Sequence, residues 1–320
     1  MVRKLELDAL IGDLHSVRKL LARRTPENDP IGFAQFTSRA QELEAALAEL
    51  KDTPTTRASL AVFFSGQPVQ GSRGVEAGFA GKAVGIIQDL IAKQFANLET
   101  GAMARTGPVP FRGNSDMLLT DVARGSFGVI LEEADRHESL TESQLTVAVR
   151  NVAEDIKQAG SADPTGFDEL IAEVDYRYFF SLGALFKLFE DARATVRLVE
   201  SERDIQLDGE AIHRGMERTD ATITSDNNDV LLTGRLWVLP GDRRFEIVVD
   251  GETERLPGNV SKTFTVDQLA GLNNGDRWAV RLRERTITRP NRTPQVRRTL
   301  LGLIHRQTSM FIPGIPELNS

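Results

Sequence analysis

The chain has 320 residues, 46 acidic against 39 basic, a net charge of −7 and no cysteine. Its length exceeds one average domain and predicts two or three compact units. The 40% apolar content supplies real cores, and the missing thiols exclude a disulfide framework and every thiolate metal site.

The opening residues, Met1-Val2-Arg3-Lys4, carry charge where a signal peptide needs an apolar run. The most apolar segment, 176–189, contains Arg177 and Lys187 and is too short to cross a bilayer. Both features predict a soluble cytoplasmic protein that does not enter a membrane.

Leu7, Leu10, Leu14, Val17 and Leu21 alternate spacings of three and four. So do Phe33, Phe36, Ala40, Leu43, Leu47 and Leu50, beyond a Pro-bounded break at 25–30. Two heptad-spaced stripes joined by a short turn predict an antiparallel helical hairpin over 1–56. It packs either on the body of the protein or, as a coiled coil, on a second copy.

A mixed α/β domain is expected over 57–221. Its strands are read at 60–64, 117–120, 127–131, 195–199 and 205–207, and its helices at 75–98, 141–158, 167–191 and 210–216. From 222 the texture changes to short apolar runs between turn clusters at 226–229, 240–242, 250–251, 257–258 and 273–276. That pattern predicts about six short strands in a small antiparallel β-barrel or sandwich over 222–308, followed by an irregular tail over 309–320. The fold class is α+β.

The stretch Phe63-Phe64-Ser65-Gly66-Gln67-Pro68-Val69-Gln70-Gly71-Ser72-Arg73-Gly74-Val75 resembles a segment of a group of uncharacterised bacterial cytoplasmic proteins. Phe79-Ala80-Gly81-Lys82-Ala83 and Asp121-Val122-Ala123-Arg124-Gly125-Ser126-Phe127-Gly128 extend the likeness. In that group, too, such segments follow an N-terminal helical hairpin. The resemblance covers the first half to two thirds of the chain and implies a bacterial origin, but transfers no activity.

The glycine spacing of 66–73 is that of a phosphate loop, but Ser72 stands where lysine must reach the β- and γ-phosphates. Pro68 also removes an amide from the cradle. A weaker expectation is an anion held at the opening of the next helix by Gly71, Ser72, Arg73 and Gly74, with Arg124 and Ser126 from the later loop. The competing reading is that these glycines serve a tight turn and close packing. Arg124-Gly125-Ser126-Phe127-Gly128 is no nucleophile elbow, because arginine replaces the first glycine. The four histidines, His15, His137, His213 and His305, are scattered, so no metal and no cofactor are expected.

The least ordinary feature lies near the C-terminus. From Arg277 to Arg306 there are nine arginines, no lysine and one acid, Glu284, a local +8 that leaves −15 on the other 290 residues. Strand alternation puts Arg281, Arg283 and Arg285 on one face and Val280 and Leu282 on the other, with Arg289, Arg292, Arg297 and Arg298 in the next turn and strand. Three uses compete for such a face: solvation with internal salt bridges, docking on an acidic protein partner or a second copy, and nucleic-acid backbone binding. The expectation carried forward is a non-enzymatic intracellular binding or assembly protein presenting this basic face. A nucleic-acid-associated factor is the first alternative, and an enzyme with a site between the 66–74 and 124–128 loops is the second.

Overall fold

The computed structural model describes residues 2–53, 55–71, 73–100, 103, 106–123, 127–134, 142–261, 263–288 and 293–306, with the backbone alone at 122, 123, 172, 223–226, 228, 229, 305 and 306. The predicted tail, 309–320, lies outside the described residues. The chain forms two compact units: residues 1–95, 109–173 and 177–220 make the first, and 96–108, 174–176 and 221–320 the second.

The chain opens with α1 (Arg3–Leu21) and α2 (Pro30–Asp52). Asp29 starts α2 by accepting the Gly32 amide at 3.0 Å, and Pro30 sits at the first helical position, where no amide is needed. Leu14, Ala40, Leu43 and Leu47 form the buried seam of this hairpin, flanked by Leu7, Leu10 and Val17.

There follow β1 (Ser59–Gly66), the short β2 (Val69–Gln70) and β3 (Gly74–Val75), α3 (Ala77–Thr100), β4 (Met117–Ala123) and β5 (Gly128–Glu133). Then come α4 (Gln144–Gly160), α5 (Thr165–Glu173), α6 (Tyr176–Asp191), β6 (Ala194–Glu200), β7 (Arg203–Leu207) and α7 (Gly209–Ala221). The helix expected over 167–191 is therefore two. Val174 and Asp175 interrupt it, and Asp175 stands just before α6, where a carboxylate favours helix initiation.

Strands β4-β5-β1-β6-β7 make one antiparallel sheet with β1 at its centre. Alternation along β1 gives each face its own core. Ala61 and Phe63 cluster with Val2, Ile130 and Val199, against which Leu5 packs, so the start of α1 covers that face. Phe64, on the opposite face, meets Phe79 edge-on at 5.4 Å and Phe189 at 6.4 Å. Such ring pairs add about 0.5–1.5 kcal/mol beyond area burial. The hairpin thus packs on the protein's own sheet, and Lys4 N–H donates to Ser201 O at 3.0 Å.

The second unit holds β8 (Ile223–Leu239), β9 (Arg244–Val249), β10 (Arg255–Val260), the short α8 (Val266–Ala270), β11 (Arg277–Thr288) and β12 (Gln295–Arg306). These are five strands, fewer and longer than the six expected, closed in the order β10-β12-β11-β8-β9. Every neighbouring pair is antiparallel except β10 with β12, which is parallel. A helix between the third and fourth strands and a third strand beside the fifth make this a Greek-key barrel of OB-fold order. Leu236, Val238, Phe245, Ile247, Val260, Val280, Leu282 and Leu300 fill its interior. Among the described residues no helix is long and apolar enough to cross a membrane.

Gly66 closes β1 onto the turn before β6. Its φ is +95°, and a Cβ there would fall 2.3 Å from Arg193 O. Gly71, at φ +55°, has open space around it. Gly66→Ala is expected to cost about 3 kcal/mol in urea unfolding and Gly71→Ala about 1 kcal/mol; equal costs would mean that close approach at Gly66 is not the constraint.

Candidate functional site

The anion turn expected at 71–74 does not open a helix. Gln70 pairs with Gly74 across the β2–β3 hairpin, and the Arg73 amide donates to Gln70 O at 3.0 Å, so that amide is already engaged. Glu76 separates the hairpin from α3, whose first residue is Ala77. The glycines here serve the turn. Ser72, Arg124 and Ser126 lie outside the described residues. The end of β1 and the start of β5 do meet, with Phe64 N–H donating to Phe127 O at 3.0 Å, but ring and backbone groups make that contact.

The arginine stripe also changes character once folded. Alternation along β11 holds: Val280 and Leu282 point into the barrel, and Arg281 is exposed on the opposite side. Yet Arg283 is only 4% exposed and Arg285 only 1%. These two share the predicted face without sharing the solvent, and both are engaged within the chain. Arg298 is tied to Glu284, Nε to Oε1 at 2.7 Å, and Arg277 Nε to Asp250 Oδ2 at 3.0 Å. Arg297 is exposed like Arg281. Arg289 and Arg292 fall outside the described residues. The single basic face expected on β11 and β12 is therefore divided into buried, internally paired and open arginines.

The sequence reading missed a second arginine surface on the outer side of β8, β9 and β10. Inward Leu236, Val238, Phe245 and Ile247 leave Arg235, Trp237 and Leu239 facing out on β8, with Arg244, Glu246 and Val248 on β9. The register lines them into rows: Arg235, Val248 and Arg255; then Trp237, Glu246 and Pro257; then Leu239, Arg244 and Asn259. Arg255 is the hub. Its Nη1 meets Glu246 Oε2 at 2.7 Å, and its guanidinium carbon lies 5.0 Å from the centroid of the Trp237 ring. Among the described residues no acid pairs with Arg235, Arg244, Arg281 or Arg297. The signal was present in Arg235-Leu236-Trp237-Val238-Leu239, whose alternation sends an arginine and a tryptophan outward together.

Inside the first unit, polar groups are spent on the fold. Lys93 is 8% exposed and donates from Nζ to Asp89 Oδ2 at 2.6 Å, Ser181 Oγ at 2.6 Å and Arg177 O at 3.1 Å. Three acceptors saturate an ammonium. Ser181 in turn donates to Asp89 Oδ2 at 2.9 Å, which leaves no base for its hydroxyl. Burial pushes the Asp89 carboxyl up, but hydrogen bonds from Lys93 and Ser181 and the charges of Lys93 and Arg112 outweigh it and hold it below the ordinary value.

A cleft of about 300 Å³ is lined by Arg3, Thr55, Arg57, Glu132 and Glu133. Its charged groups are likewise committed: Arg3 Nη2 donates to Lys51 O at 2.7 Å, and Glu133 Oε2 accepts from the Ala58 amide at 2.9 Å. His213 lies between Glu190, at 2.9 Å, and Glu217, at 3.4 Å; the Glu190 hydrogen bond and the Glu217 charge raise its pKa. Among the described residues no group of three or more acids and histidines is placed to hold a metal ion.

Fold and surface define an α+β protein ending in a closed five-stranded barrel with exposed arginines. No protein-family model, curated protein or solved structure matches the chain.

Truncating a buried guanidinium strands the groups it holds, so Arg285→Ala is expected to lose about 3–5 kcal/mol while Arg281→Ala stays within about 0.5 kcal/mol. Similar losses in both would mean that Arg285 is not held as its burial implies. Glu200 is 2% exposed, its Oε2 has no hydrogen-bond partner, and burial pushes its pKa up against the pull of Arg150 and Arg203. A raised folded value gives stability that is present below the unfolded pKa and lost as pH rises through the folded one. Glu200→Gln should therefore exceed wild type by about 1 kcal/mol near pH 7.5, with the gap closing toward pH 4. Urea midpoints across that range measure it, and a gap that widens in acid would reverse the assignment.

Proposed function

We propose that the protein is a binding protein, without chemistry of its own, that takes an anionic partner on the outer surface of its C-terminal barrel. Barrels of this strand order host unrelated functions, so the reading rests on side chains and not on the fold. The observation that carries it is that, among the described residues, no acid pairs with Arg235, Arg244, Arg281 or Arg297, in a chain with more acids than bases. Exposed guanidiniums retain all their donors for carboxylate or phosphate. A cytoplasmic setting is supported by the absence of cysteine and by the likeness of 63–83 and 121–128 to bacterial cytoplasmic proteins.

Polyanion affinity tests this. At about 50 mM salt the intact protein should be retained on immobilised heparin despite its net charge of −7. A variant carrying Arg235→Glu, Arg244→Glu and Arg281→Glu should flow through with an unchanged circular dichroism spectrum. Wild-type protein that flows through at that salt would refute the proposal.

A further inference from the structure

We infer that the N-terminal hairpin is a self-association arm. The face of α1 and α2 that carries Leu10, Val17, Leu20, Ala46 and Leu50 pairs with the same face of a second copy, the two arms running antiparallel.

Two helices close one seam and leave a second one open. Val2 and Leu5 seat the start of α1 on the sheet, but the buried residues of α2 cluster with those of α1 alone. Beside the buried seam runs another series at spacings of three and four: Leu10, Asp13, Val17 and Leu20 on α1, and Arg39, Leu43, Ala46 and Leu50 on α2. Each series is displaced from the buried seam by one residue toward the N-terminus. In two antiparallel helices that shared displacement leads to the same side of the pair. Apart from Leu43 none of these residues is buried, and Leu20 is 41% exposed. A helical pair of this length without a further layer is marginal, and a four-helix bundle built on the same spacing supplies that layer.

Charge selects a second copy as the occupant and sets its direction. The outer half of the arm, residues 14–41, holds five basic and two acidic side chains, and the inner half, 2–13 with 42–53, three basic and seven acidic. Internal pairing does not cancel this. Arg18 meets Glu44, Arg24 meets Asp29 and Arg39 meets Glu42. Among the described residues, however, no acid pairs with Lys19 or Arg23, and no base with Glu6, Asp13, Glu49 or Asp52. Antiparallel arms set each positive half beside a negative one, whereas parallel arms set like beside like. Asp13 and Arg39 occupy the middle of the open face, next to Leu14 and Ala40 of the seam. A two-fold axis there gathers two carboxylates and two guanidiniums, which fixes the register as a polar residue within a coiled coil does. The Arg39–Glu42 pair is exposed and lies along one helix, so it yields readily. An unrelated helix would need this charge order reversed, and a second copy supplies it by symmetry.

The full chain tests the inference. Sedimentation equilibrium at about 100 μM should give a two-subunit mass that falls toward the monomer on dilution. Leu20→Glu on the open face should weaken association about 10-fold or more, and Ile11→Glu, 51% exposed on the other side of the seam, should leave it within about 2-fold. Asp13→Arg crowds four guanidiniums at the axis and should cost about 10-fold or more. Adding Arg39→Asp should restore association to within about 3-fold of wild type. All four side chains are exposed, so each variant should keep the wild-type circular dichroism spectrum. Because the chain has no cysteine, a spin label on Glu27→Cys reports the tips of the arms. The seven residues from Leu14 to Leu21 carry each tip about 10 Å from the axis, so the labels should lie more than roughly 20 Å apart.

A monomer at every concentration would overturn the inference. So would a dimer indifferent to Leu20→Glu, or weakened as much by Ile11→Glu, as would a reversal at Asp13 that Arg39→Asp does not rescue. Labels side by side would show parallel arms and overturn it equally.

Discussion

The parallel pairing of β10 with β12 is only two residues long, Asn259 with Thr299 and Val260 with Leu300, but it turns a five-stranded sheet into a closed wall. Without it both strands would be edges, each presenting unpaired amides and carbonyls. Closure is tight. A Cβ on Gly258 would fall 2.5 Å from the Phe245 ring and 2.6 Å from Arg298 O, so the third strand can approach the fifth only where a side chain is missing. Once closed, each strand must send alternate residues inward, and the apolar set of β8, β9 and β11 fills that interior. On β8, β9 and β10 the outward set is then free of packing duty. The surface carrying Arg235, Trp237, Arg244 and Arg255 is thus a consequence of closure.

In the first unit the same logic of two-sided strands leads elsewhere. β1 is buried on both faces, so helices must cover both, and the polar groups they bring with them need partners inside. Lys93 is the clearest case. It lies on α3, meets Ser181 of α6, and is held by three acceptors. A lysine beside a serine suggests a nucleophile and its base, but saturation of the ammonium and the second bond from Ser181 to Asp89 make it a polar clamp between two helices. Glu200 differs, since its buried oxygen finds no donor and its pKa rises accordingly.

Much of this was legible because it is local. Periodicities of three and four gave the hairpin helices, and short apolar runs beside Gly gave β1 and β5. The break between α5 and α6 was hidden because Val174 continues the apolar pattern and only Asp175 interrupts it. The burial of Arg283 and Arg285 was hidden for a different reason. Alternation states which face a residue occupies, whereas coverage of that face is a property of the whole fold. The β8–β9–β10 surface combines both difficulties. Arg235, Arg244 and Arg255 sit on three successive strands, and the register that aligns them is set by the turns between those strands.

Beside its internally paired arginines, the barrel therefore holds two kinds with opposite physical demands. Arg283 and Arg285 have given up their hydration, which only fixed partners within the chain can offset, and that removes them from any ligand's reach. Arg235, Arg244, Arg281 and Arg297 keep theirs. Scarcity of acids does not explain why these have no acid partner among the described residues. Glu246, Asp250 and Glu284 stand on or beside the same strands, and each is turned toward a different arginine: Arg255, Arg277 and Arg298. With those three carboxylates committed elsewhere, the exposed guanidiniums keep their donors for solvent or a partner. Salt screens such exposed charges within about 10 Å and leaves an apolar interior untouched. Binding through this surface and the stability of the barrel beneath it should consequently respond to ionic strength in different ways, the first steeply and the second hardly at all.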